Sequence, residues 1–164
     1  MKFLLICTVF ICFSLIGFKI ANFYRKKKDF YVDICAFCNY ASNQVSFALK
    51  KTNEIVSSCK SSFTGDFYNY LTIYEKFLDG NITQKEFQED KSFAILSIDE
   101  KMKIDNFFLS FGQMNKEEEL EKLVAFKEEF SQKKEFCLNN YIKYKSLYVK
   151  LFFLLGLVFV VIFL

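Results

Sequence analysis

Charged side chains are missing from the two ends of the chain, Phe3 to Phe18 and Leu151 to Leu164, and almost every ionisable group lies between Lys19 and Lys150. Within that polar middle, apolar residues recur every three or four positions, the period of one helix face. Phe30, Ile34, Cys38, Ala41, Val45 and Ala48 form one such stripe. Phe67, Tyr70, Leu71, Tyr74 and Leu78 form a second, and Ile104, Phe107, Phe108 and Phe111 a third. Leu123, Phe130, Cys137, Tyr144 and Leu151 repeat every seven residues, a seam that packs on another helix. Lys133 and Asn140 fall at half-heptad positions, so the seam suits an intramolecular bundle with one wet layer better than a dry two-stranded coil.

Punctuation is sparse: the chain has no proline, and the breaks fall at Gly65-Asp66, Gly80-Asn81 and Gly112. Thr83 with Glu86, Ser97 with Glu100 and Asn115 with Glu118 each place a capping oxygen three residues ahead of a carboxylate, as helix starts do. The expected elements are a first helix running through Lys28 to about Leu49, four shorter ones near 52–63, 66–79, 84–94 and 98–111, and a last from Lys116 onward. The fold class is all-α: a bundle of about six helices flanked by an N-terminal and a C-terminal transmembrane helix, the last helix being continuous with the second span.

A span needs about 20 residues, because a helix rises about 1.5 Å per residue through about 30 Å of hydrocarbon. The first run reaches that length through Ile20, Ala21, Phe23 and Tyr24, and the second by taking in Leu147, Tyr148 and Val149, with Lys19 and Lys150 bending to the interface. This divides the chain into a first span over 1–24, a helical domain over 25–146 and a second span over 147–164. A cleaved signal peptide fits the first run poorly. No small-x-small site follows it, and the basic cluster Arg25, Lys26, Lys27 and Lys28 lies on its far side. That cluster, with Lys143, Lys145 and Lys150 before the second span, places the central domain in the cytoplasm; only Lys2 opposes it. The expected location is thus integral to a membrane. Gly17 and Gly156 allow close helix approach and leave self-association open, although neither pairs with a neighbouring glycine.

Composition narrows the chemistry. There is no histidine, which removes the usual neutral-pH base and the commonest metal ligand. No Gly-rich phosphate loop, serine elbow or carboxylate pattern appears, so the chain reads as a non-enzyme without cofactors. The net charge of +3 reflects basic residues crowded at the membrane flanks, while Asp33 to Glu135 is net acidic. A basic flank beside a bilayer reports topology and lipid headgroups, not nucleic acid. Cys35 and Cys38, with Cys59 and Cys137, suggest a four-thiolate site or a redox pair. Their setting inside a helical pattern favours plain burial, and no metal site is assigned. Glu117, Glu118, Glu119 and Glu121 open the last helix, where its dipole welcomes carboxylates; their sharper reading is an acidic face that docks a partner.

In order and spacing the chain resembles the stage III sporulation protein AB family of endospore-forming bacteria. The likeness rests on Gly17-Phe18-x-x-Ala21-x-x-Tyr24 before the basic cluster, on Phe111-Gly112 ahead of the long last helix, on Tyr144-Lys145, and on Gly156 in the second span. Where the family has a Glu-Ile-x-Tyr pattern and then Pro-Leu, this chain has Gln44-Val45-Ser46-Phe47 and then Lys51-Thr52. The family's acidic residue and glutamine after Phe-Gly become Asn115 and Glu119. The resemblance implies a domain similar to the F-type platform proteins of type II secretion. It implies a non-enzymatic part of the channel between mother cell and forespore, with a secretion-type ring ATPase and other channel membrane proteins as partners. A self-associating helical tether without a motor partner is the rival reading.

Overall fold

The computed structural model describes residues 2–48, 50–90 and 93–163. Among them the chain forms six α-helices and no strand: α1 (Lys2–Asn43), α2 (Thr52–Lys60), α3 (Gly65–Leu78), α4 (Gln84–Glu89), α5 (Ile98–Ser110) and α6 (Lys116–Phe163), with a π-helical turn, Gln44–Ala48, after α1. The all-α class and the number of helices agree with the sequence pattern. The chain divides into two compact units, one of residues 1–28 and 135–164, the other of residues 29–134.

The central unit, 29–134, is built around the three stripes read from the sequence. Phe30, Ile34, Cys38 and Ala41 of α1 are buried, as are Phe67, Tyr70, Leu71 and Tyr74 of α3 and Ile104, Phe107 and Phe108 of α5. Leu123 and Phe130 of the seven-residue seam are buried with them. Much of this core is aromatic. Tyr74 packs edge-on against Phe108 with ring centres 4.8 Å apart, Tyr70 lies 5.0 Å from Phe108, and Phe107 stacks on Phe126 at 3.9 Å. Such contacts add to simple area burial and fix the angles at which short helices meet.

The starts of α4, α5 and α6 follow the caps, whereas α2 and α3 begin without a side-chain cap. Thr83 and Ser97 each form a complete capping box with Glu86 and Glu100, and Asn115 Oδ1 accepts from the Glu118 N–H at 2.9 Å. Three ends differ from expectation. Helix α4 stops at Glu89, five residues before the expected 94, and Asp90 is extended. The chain leaves the helix there because Phe93 and Leu96 must turn into the core, where Phe93 meets Tyr70 at 5.3 Å. Helix α2 stops at Lys60 instead of 63, where the Ser62 N–H folds back to the Cys59 carbonyl at 2.9 Å. Helix α1 loosens into the π-helical turn before Leu49, which itself lies outside the described residues.

The terminal unit pairs the start of α1 with the end of α6. Gly17, Ala21 and Gly156 are buried. A Cβ at Gly17 would lie 3.2 Å from Phe152 Cβ and 3.3 Å from the Tyr148 carbonyl oxygen, so the two helices touch closely there. Gly17 and Ala21 form a small-xxx-small pair, which a search for glycine pairs alone passes over. Tyr24 packs on Tyr144 at 5.2 Å and stacks on Tyr148 at 6.3 Å. Among the described residues no helix is long and apolar enough to cross a membrane. The side chains of 3–7, 9, 10, 13, 159 and 162–164, which belong to the two apolar runs of the expected spans, lie outside the described residues.

Candidate docking surface

The four glutamates at the start of α6 do not share a face. Glu117, Glu118 and Glu121 are exposed, whereas Glu119 is only 3% exposed. Residue 119 lies four positions before Leu123, one turn back on the side of α6 that this buried leucine faces. Glu117 and Glu121, themselves one turn apart, project from the opposite side. Glu119 is thereby removed from the expected acidic face.

Its carboxylate closes the loop before α6. Glu119 Oε2 accepts from the Gly112 N–H at 3.0 Å, while Oε1 is buried without a hydrogen-bond partner. Burial pushes the carboxyl pKa up; the Gly112 N–H, the Lys122 ammonium and the Met114 N–H pull it partly back. Gly112 itself has φ +80°, and a Cβ there would overlap Thr52 Oγ1, so the start of α2 presses on this loop.

Above Glu119 lies a groove of about 490 Å³ in the central unit. The π-helical turn contributes Val45, the chain entering α2 contributes Lys50 and Lys51, and the loop before α6 contributes Met114 and Lys116. Lys116 Nζ donates to the Ser46 carbonyl at 2.8 Å, tying α6 to the π-helical turn. Nothing in the hydrophobic pattern signals a π-helix, so this groove was not legible in the sequence.

A second polar network borders another groove, of about 900 Å³, between the end of α4 and α5. Asp105, 3% exposed, accepts from the Tyr70 hydroxyl at 2.8 Å and pairs with Lys101 at 2.6 Å. Lys101 also donates to the Gln88 carbonyl at 2.7 Å. This cluster pins α5 to α3 and to the end of α4, a structural role.

The four cysteines of the polar middle behave as small core residues. Cys35, Cys38 and Cys59 are buried in the central unit and Cys137 in the terminal unit. Burial pushes the Cys38 thiol up to about 12 and the Cys59 thiol up to about 11, away from the thiolate that metal binding and exchange require. Among the described residues no group of three or more His, Cys, Asp or Glu side chains is placed to hold a metal ion.

The basic residues expected to flank the membrane all fall in the terminal unit. Arg25, Lys26, Lys143, Lys145 and Lys150 are exposed, and Lys27 and Lys28 half-buried. Lys28 lies over the Tyr141 ring at 5.0 Å and Lys145 over the same ring at 5.1 Å. The Lys145 ammonium beside it holds the Tyr141 hydroxyl below its ordinary range. Tyr24, Tyr141, Tyr144 and Tyr148 with these cations make an aromatic and basic girdle next to the apolar ends.

An all-helical protein with a polar grooved unit and a second unit of paired, apolar-ended helices is thus defined. The model of the family described as Stage III sporulation protein AB (spore_III_AB) matches residues 2–164, and the chain belongs to that family. No curated protein and no solved structure matches the chain.

Proposed function

We propose that the chain is a non-enzymatic, membrane-anchored subunit of a sporulation complex, and that its central unit docks a secretion-type ring ATPase from the cytoplasmic side. The match to a stage III sporulation family along the whole length carries the reading. The physical support is local. Phe18, Leu154 and Val161 are among many large apolar side chains left exposed at the two ends, and exposed apolar surface of that extent suits lipid. The tyrosines and lysines beside them suit a headgroup layer. A helical body held at two points of a bilayer can receive force from a motor without performing chemistry itself.

The test is affinity capture of the tagged full chain, solubilised in mild detergent from sporulating cells, with retained proteins identified by mass spectrometry. Retention of a ring-forming P-loop ATPase is the expected result. Its absence, from cells shown to contain that ATPase, would leave a tether without a motor.

A further inference from the structure

We propose that the groove over Glu119, with the exposed acidic turn beside it, is a self-complementary surface that pairs with the same surface of a second copy of this chain. Three observations converge on it. Lys50, Lys51 and Lys116 line the groove, and no ion pair to a carboxylate engages them among the described residues. Glu117, Glu118 and Glu121, at the same helix start, are exposed and equally without an ion pair there. Glu119 Oε1 is buried at the groove without a hydrogen bond, an unsatisfied acceptor that a partner's donor would complete.

A docking face for a partner of one charge sign has no use for both signs side by side. A two-fold contact does, because each patch meets its own copy and the basic groove of one chain lies against the acidic turn of the other. Apolar anchors are present as well: Phe47, in the π-helical turn that Lys116 ties down, is 87% exposed, and Met114, in the groove wall, is 46% exposed. The π-helical turn after α1 acquires a purpose on this reading, since it presents Phe47 outward while Val45 stays in the groove. This inference stands apart from motor docking and leaves that role to other faces of the central unit.

The experiment is charge exchange on the full chain in detergent micelles. Mass is read by light scattering corrected for bound detergent, and folding is checked by circular dichroism. The wild-type chain is expected at twice the monomer mass, dissociating as salt rises. A groove variant (K50E, K51E, K116E) and a turn variant (E117K, E118K, E121K) are each expected to weaken the dimer at least about tenfold. Mixing the two folded variants restores opposite signs at both contacts of the pair, so a heterodimer captured through differently tagged chains is the decisive expected result. A monomeric wild type, dimers that persist in both variants, or variants that fail to pair when mixed would each overturn the proposal.

Discussion

Gly112 is constrained twice, by a φ of +80° and by Thr52, whereas Gly65 and Gly80, at φ +67° and +75°, have open space where a Cβ would go. Gly65→Ala and Gly80→Ala therefore each cost about 1–2 kcal/mol, the strain of the left-handed region alone. Gly112→Ala costs more, because Thr52 or the loop must also move. Denaturant midpoints of the three variants should rank in that order, and an equal loss at all three would contradict the close approach of α2. Asp105 gives the residue-scale test in pH. Burial raises its pKa, against the pull of Lys101 and Tyr70, so the folded chain holds this proton more tightly than the unfolded one. Its contribution is complete below the ordinary carboxylate range and declines as pH rises through the raised value. Asp105→Asn should narrow the difference in unfolding midpoint between about pH 4 and about pH 7. A difference as wide as that of the wild type would assign it elsewhere. Glu119 shows what residue-level reading can and cannot reach. The run Lys116-Glu117-Glu118-Glu119 looks uniformly solvated, and the seven-residue seam carried back from Leu123 reaches Lys116, while Glu119 falls in the half-heptad row of Lys133 and Asn140. What no residue pattern shows is that one of its oxygens lies at a groove without a donor.

At the scale of elements, the starts were legible, as were the ends of α3 and α5, whereas the ends of α1, α2 and α4 were not. A cap is a local pattern of two side chains, and Thr83, Ser97 and Asn115 all perform as one. Thr83→Ala and Ser97→Ala should each cost about 1 kcal/mol, read from denaturant midpoints. Values near zero would mean that core packing alone sets those helix starts. Helix ends depend on where distant partners lie. The early stop of α4 is decided by Tyr70, which receives Phe93, and the π-helical turn after α1 is held at its middle, where Lys116 of α6 reaches Ser46. Neither constraint is written near the residues it governs. The same distance explains the groove, whose walls come from the end of α1, the entry to α2 and the loop before α6. Tyr74, in the wall of this groove, donates from its hydroxyl to the Phe108 carbonyl at 2.8 Å inside the aromatic core. Tyr74→Phe should cost about 1 kcal/mol while leaving the fold unchanged.

For the whole molecule, the division into two units follows the change in sequence character, from apolar ends with basic flanks to an acidic middle with helical stripes. The central claim is that residues 29–134 are held to a membrane at both ends, which is what allows a helical body without evident chemistry to serve a sporulation complex. The most direct measurement places a specific protease site between α4 and α5 of the full chain. Isolated membranes are then cleaved and washed with alkaline carbonate and urea, so that neither half is retained by packing on the other. The account predicts that both halves stay in the membrane pellet. Release of either half into the wash would contradict it, leaving a protein anchored at one end only.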